Sequence, residues 1–416
     1  MTDPQTPSSS SAPRPEAGST GAEGETAGPR LPSFLARSIP SGFPLGMPTP
    51  WPIDDGHVLA TGPAIEFRGA DDGFEVDEIP SYLPCGTGEH LYLHIEKRGL
   101  STPQVLRRIR DAFGLHERDI GTTGQKDARG ITRQWMSVPA RAVESRLADV
   151  ESALGVKLLA SARHGNKLRL GHNRGNRFVC RLDGTDAATG AAIAARATLL
   201  SQSGMPNWFG AQRFGHNDRA LRDAERFLWR PRKAISKREQ FWVSALQSAI
   251  WNTWLAIRVQ DGSWCHALDG DILEKRENGA PFLCTDAAVD DPRVVAGEVS
   301  PSGPLHGRAM RCAEGDALTR ESRSLAELGI DLAKLLDHPS FGTGARRSGR
   351  VWPTAMEVVS TPTSTTVSFG LTTGCYASVF LRELVGPRLV DRFFDAPPTD
   401  TGDGGGGDAV DPNPTA

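Results

Sequence analysis

The stretch from Gly121 to Trp135, GTTGQKDARGITRQW, constrains this chain more than any other. Its glycines at 121, 124 and 130 interrupt any regular helix or strand, while four of its residues carry charge. One carboxylate, Asp127, sits among Lys126, Arg129 and Arg133. A carboxylate flanked by cations stays ionised at neutral pH, and the surrounding positive charge tolerates an anionic substrate. Taken locally, the same residues also describe a surface turn with one solvated Asp. The rest of the chain decides between the two.

Upstream, Phe74–Ile79 opens with the alternation of a half-buried strand, and His90–Lys97 is a clearer one. Ser101 and Gln104 have capping-box spacing and Pro103 suits a first turn, so a helix is predicted with Val105, Leu106, Ile109 and Phe113 inward and Gly114 at its end. Asp127 therefore falls on a loop between regular elements. A strand over Gln134–Val138 and an amphipathic helix over Arg141–Leu154, closed by Gly155, are predicted next. Strands at Lys157–Ala162 and Phe178–Leu182 bracket the basic loop HGNKLRLGHNRGN, which reads either as a solvated hairpin or as a phosphate contact. Thr189–Ser203 is predicted helical, Asp218–Arg238 loosely so, and Phe241–Val259 strongly so, with Leu246, Ile250, Trp254 and Ile257 inward. Between the first two of these lies GMPNWFGAQRFG from Gly204, whose rings either pin a loop or stack on bases. A strand over Thr366–Leu371 and a helix over Tyr376–Leu384 follow.

With 416 residues, 38% hydrophobic and 23% charged, the chain has a globular balance and room for two ordinary domains. The formal net charge of −3 carries no nucleic-acid footprint by itself, but Arg163–Arg181 holds six cations and no carboxylate. The six cysteines show no C-x-x-C spacing, which argues against zinc or redox chemistry. No signal peptide and no apolar run near the roughly 20 residues of a membrane span is present, so a cytoplasmic protein is expected. Residues 1–52 and 396–416 read as disordered tails, the second one acidic.

Five blocks, in order, resemble the TruD family of tRNA pseudouridine synthases: GTGEHLYLHIEKRGLST from Gly86, GQKDARGITRQW around Asp127, KLRLGHNRGNRF ending at Phe178, GMPNWFGAQRFG, and GCYASVFLREL ending at Leu384. The resemblance implies an α+β fold, a pseudouridine-synthase core of mainly antiparallel sheet with flanking helices and an inserted α/β domain. The core would comprise 53–203 and 354–395, and the insertion 204–353. It further implies isomerisation of a uridine and points to position 13 of tRNA, although relatives act on other RNAs. That reaction involves no net redox change and no energy input, so no cofactor is expected, no metal either, and a monomer is the default. Asp127 matches the catalytic aspartate; Phe74, Asn176 and Tyr376 match substrate-binding positions; and Arg68, Lys126, Lys167, Arg169, Arg174, Arg177 and Arg213 become candidate RNA contacts. Three positions depart from the family pattern: Tyr376 for Phe, Gly73 for Asp, and Gly130 for Ala. The competing expectations are an RNA-binding protein without turnover and, from another class, a glycosidase; the latter is disfavoured because the central motif supplies only one carboxylate.

Overall fold

Alternating side chains along the strands put one apolar face of a large sheet against helices, while the other face carries many charged residues and a small buried cluster of Tyr92, Trp135 and Leu168. The computed structural model describes residues 59–69, 73–126, 128–214, 219–228, 236–338 and 341–393. The two tails read as disordered lie outside these residues.

In chain order the first part comprises β1 (Ile65–Phe67), β2 (Phe74–Pro80), β3 (His90–Arg98), α1 (Thr102–Phe113), β4 (Gly121–Thr122), β5 (Ile131–Pro139), β6 (Lys157–His164), β7 (Asn173–Asp183) and α2 (Ala187–Ser203). The last part comprises β14 (Thr354–Ser360), β15 (Ser364–Thr372), α4 (Ala377–Val385) and β16 (Leu389–Asp391). These strands make one ten-stranded sheet with the path β14-β15-β7-β2-β5-β3-β6, to which β1, β16 and β4 are added at the margins. Pairing is antiparallel except for β1 with β16 and β2 with β5. The fold is α+β.

Between α2 and β14 lie β8 (Met205–Pro206), α3 (Lys237–Gln260), β9 (Ile272–Lys275), β10 (Pro281–Leu283), β11 (Val299–Leu305), β12 (Ala345–Ser348) and β13 (Arg350–Val351). The middle strands form a separate sheet in the order β10-β9-β11-β12. The chain leaves and returns through one strand pair, β8 with β13, in which Met205 opposes Val351.

Register shows where the core sits. Phe74 opposes Cys180, which opposes Val367; Val76, Phe178 and Phe369 align likewise, as do Glu78, Asn176 and Leu371. These residues share a face with Leu93 of β3 and Met136 of β5. Two apolar clusters grow from it. One gathers Phe178 and Phe369 with Ile193 and Leu200 of α2 and Phe380 and Leu384 of α4. The other gathers Leu93 and Met136 with Val105 and Ile109 of α1. Between them runs a buried polar seam of Glu78, Lys97, Thr102, Lys126, Thr132 and Gln134.

The capping box of α1 forms as predicted and Gly114 closes the helix in the left-handed region, although Leu106 is only half-buried. The helix predicted over Arg141–Leu154 is instead two short helices, Ala140–Val143 and Val150–Leu154, joined by a 3₁₀ segment. Arg146 is the break, with φ −118° and ψ 24°. Its guanidinium donates to the Ala112 carbonyl at 2.9 Å and covers the Phe113 ring, so a contact to the end of α1 takes the place of a helical turn. The loosely helical Asp218–Arg238 resolves into a helix over Arg219–Leu228; Asp218 and residues 229–235 lie outside the described residues.

α2 and α4 are clasped by Arg196, whose Nε donates to the Glu383 carbonyl oxygen at 2.6 Å. Burial pushes the Glu383 carboxyl up to about 7, against the opposing pull of the Arg196 charge and of the neighbouring Trp208 indole. The folded value lies above the ordinary one of 4.5, so the native state keeps a proton that the unfolded chain has released. Stability contributed there falls as pH rises from about 4.5 through about 7. The Glu383→Gln variant is expected to lose this dependence. Its melting temperature relative to the wild type should rise between about pH 5 and about pH 8, and parallel curves would place the carboxyl in a solvated site.

Candidate functional site

The Gly121–Gly130 loop is fixed through the backbone of Lys126. The Lys126 N–H donates to Thr102 Oγ1 at 2.8 Å, and the Lys126 carbonyl accepts from the Thr102 N–H at 3.2 Å and from Lys97 Nζ at 3.1 Å. Thr102 is the first residue of α1, so the loop satisfies an amide that a helix start leaves without an intrahelical partner. The Thr102 hydroxyl donates in turn to Gln134 Oε1 at 2.8 Å, which ties the loop to β5. The Lys126 side chain is buried as well. Its ammonium lies 3.2 Å from Glu78 Oε2, and the other oxygen of Glu78 accepts the Trp135 N–H at 3.4 Å.

Asp127 itself lies outside the described residues. Beyond it the loop is again held. Arg129 donates to the Phe393 carbonyl at 2.7 Å. Gly130 has φ +74°, and a Cβ there would lie 2.6 Å from the Phe74 carbonyl oxygen, so glycine is required for the chain to close against β2.

Asn176 lies on β7 opposite Glu78 on one side and Leu371 of β15 on the other. Its side-chain oxygen is buried with no hydrogen-bond partner among the described residues. Such an acceptor costs about 1–3 kcal/mol unless a donor reaches it. Tyr376, half-exposed, is the residue before α4, shortly after β15 ends beside Arg174 and Asn173 through the Thr373 bonds. The Tyr376 ring meets Phe209 edge-on at 6.2 Å, and Gly210 leaves the room for it. The other ring assigned to substrate, Phe74, is 4% exposed and packed among Phe67, Phe178 and Phe393. It supports Gly130 as a core residue.

The cations separate into two groups. Arg169 and Arg174 are exposed and make no ion pair among the described residues. Arg177 is exposed 3.9 Å from Glu357, Arg68 is exposed against Glu66, and Lys167 donates to the Arg118 carbonyl. Lys126 and Arg213 face protein instead: Arg213 is buried, donating to Ser248 and Ser244 beside the rings of Phe209 and Phe241. All three rings of GMPNWFGAQRFG are buried, so they pin the segment to the core, while Ala211 and Gln212 are exposed. Arg133 does not share its charge with the loop: Glu75, Asp77 and Glu96 bind it at 2.7, 3.0 and 2.8 Å.

Two features escaped the sequence. Glu78 was legible as the third residue on the Phe74–Val76 face, but an acid there had no visible partner. Arg347, from β12, lies buried over the rings of Phe209 and Trp251 and donates to Asn207 Oδ1 at 2.7 Å, which also takes the Cys375 thiol at 3.3 Å. This clasp sits immediately behind Tyr376, and only the fold brings residues 207, 347 and 375 together. Among the described residues, no group of three His, Cys, Asp or Glu could hold a metal, and no helix is long and apolar enough to cross a membrane.

A mainly antiparallel sheet carrying a pinned, carboxylate-bearing loop defines the class. The model of the family tRNA pseudouridine synthase D (TruD) matches residues 59–223 and 232–384. A tRNA pseudouridine synthase D from Anaeromyxobacter sp. is 42% identical over 328 residues, 76% of this chain and 91% of that one. The protein of that name from Thermus thermophilus is 36% identical, covering 82% and 94%. A crystal structure provisionally assigned as TruD from Methanosarcina mazei superposes with a TM-score of 0.59 over 78% of this chain and 94% of that one, and at 22% identity it speaks for the fold alone. The chain belongs to the TruD family.

Removing Glu78 strands the buried Lys126 ammonium. The Glu78→Ala variant is expected to lose about 3–5 kcal/mol of stability in denaturant titrations, and the Glu78→Gln/Lys126→Met double variant to recover most of it. A single variant as stable as the wild type would show that the pair is solvated.

Proposed function

We propose that this chain isomerises a uridine of tRNA to pseudouridine, with Asp127 as the catalytic carboxylate. The observation that carries this reading is the anchoring of the loop on both sides of Asp127, by the Lys126 backbone on one and by Arg129 and Gly130 on the other. A carboxylate asked to act on one atom of a substrate needs a fixed backbone, whereas a solvated turn does not.

The reaction breaks the N1–C1′ bond, turns the uracil and joins C5 to C1′; the C5 proton leaves and N1 gains one. Nothing is oxidised or reduced. Asp127 acts as nucleophile toward the sugar or as base toward sugar or ring. Asn176 offers its unpartnered oxygen to a donor such as the uracil N3–H, and Tyr376 stacks on the detached base. The uridine must leave its own stack to reach them. Exposed Arg169, Arg174 and Arg177 hold phosphates. The family resemblance points to position 13 of tRNA, and a monomer working in the cytoplasm is the accompanying expectation. The division at 204 and 353 into core and insertion is supported by the β8–β13 pair, which stands at both crossings.

Release of C5 tritium from labelled tRNA reads the chemistry directly. The Asp127→Asn variant is expected to bind tRNA and release none, because the amide keeps the shape but is neither nucleophile nor base. Release at the wild-type rate would remove Asp127 from the reaction. For Tyr376, single-turnover rates are expected to fall roughly 5- to 150-fold in Tyr376→Ala and to hold in Tyr376→Phe, since only the first removes the π face. A Phe variant slowed about 10²-fold would instead make the hydroxyl a proton donor.

A further inference from the structure

We propose that the surface formed by the Ile79–Gly88 loop and the Arg163–His172 segment binds an unpaired nucleobase of the RNA beside the uridine to be modified. This rests on the reading that the chain takes RNA, and extends it to a second subsite.

Composition already separates the two segments. Ile79–Gly88, IPSYLPCGTG, carries no charge, whereas residues 163–177 carry five cations and no carboxylate. The structure joins them. The Ser81 N–H donates to the His172 carbonyl at 3.2 Å, the Gly86 N–H to the Arg163 carbonyl at 2.9 Å, and the Cys85 N–H to His164 Nδ1 at 3.2 Å. A loop held at these points presents its side chains at a fixed height.

Tyr82 is held too. Its hydroxyl lies 2.6 Å from His172 Nδ1 and accepts from Asn166 Nδ2 at 3.1 Å, while its ring stacks on His164 at 5.1 Å and 26°. The next residue, Leu83, is 68% exposed, the most of any large apolar side chain among the described residues. Leu170 and Ile79, at 45% and 37%, belong to the same joined segments. Single exposed leucines are ordinary, but these three stand on two segments that backbone hydrogen bonds tie together, which makes them a candidate patch.

Charge chooses the occupant. No carboxylate lies in either segment, and Arg169 and Arg174 beside the patch are unneutralised among the described residues. An apolar peptide would use the patch and leave the guanidinium groups idle. A duplex would meet those groups while keeping its base faces stacked inside. An unpaired nucleotide uses both, the base on the rings and Leu83 and the phosphate on an arginine. The Gly171 N–H donates to the Thr123 carbonyl at 3.0 Å, which sets this patch next to the loop that carries Lys126.

The test is a cycle of protein and RNA changes read as equilibrium binding. Unmodified tRNA is compared with transcripts that each carry one abasic site at an unpaired nucleotide flanking the target uridine. The exposed Leu83→Ala substitution leaves the fold intact, and Tyr82→Ala serves as a second variant with its melting temperature recorded. Leu83→Ala is expected to weaken binding about tenfold, and one abasic position to weaken the wild type similarly while leaving the variant unaffected. Binding unchanged by Leu83→Ala, or equal further losses at every abasic site, would overturn the proposal. Binding is read without turnover, so the two readings fail separately. A wild type that binds but forms no pseudouridine overturns the isomerase, and an active wild type with no coupling overturns only the nucleobase subsite.

Discussion

The buried ion pair of Glu78 and Lys126 is the contact on which the arrangement above it depends. Taking two charges out of water costs several kcal/mol per ion, and their attraction repays it only when geometry and remaining hydrogen bonds are good. Here the second oxygen of Glu78 takes a backbone amide of β5, and the backbone of Lys126 is bonded to the start of α1 and to Lys97 of β3. The pair therefore lies where β2, β5, β3 and α1 meet, in the polar seam between the two apolar clusters. An apolar pair would fill the seam, yet it would not join the Lys126 side chain to the Glu78 carboxylate that also takes the Trp135 N–H.

The same logic recurs where the sheet meets the middle of the chain. Arg350 of β13 donates to the carbonyls of Ser203, at the end of α2, and Val294. Arg347 ties β12 to Asn207. Each guanidinium is buried and directed at carbonyl or amide oxygens, so planar, multi-donor groups join segments far apart in sequence. Through Asn207 and Phe209 this packing reaches the back of Tyr376, linking the middle of the chain to the candidate uracil site.

What the sequence made legible follows the range of each interaction. The α1 capping box is local, three residues apart, and it formed as read. The core face of β2 followed from alternation. Local rules failed where a distant partner intervened: Arg146 left its helix for the end of α1, and the basic loop became half strand because Arg174 and Arg177 joined β7 against β15. Charge was the least legible property. Arg133, Arg169 and Arg213 look alike in sequence, yet one is neutralised by three carboxylates, one is exposed and one is buried against serines. Aromatic residues behaved similarly. Phe74 is covered by other rings that no local pattern places near it, while Tyr376 keeps part of its surface open at a helix start.

The most direct measurement is nucleotide-resolution mapping of pseudouridine in total RNA from cells with and without this protein. Isomerisation at the pinned loop predicts that one tRNA uridine loses its pseudouridine signal when the protein is absent and regains it with the wild-type chain but not with Asp127→Asn. Identical maps in the presence and absence of the protein, or free uracil released from tRNA by the purified chain, would contradict it.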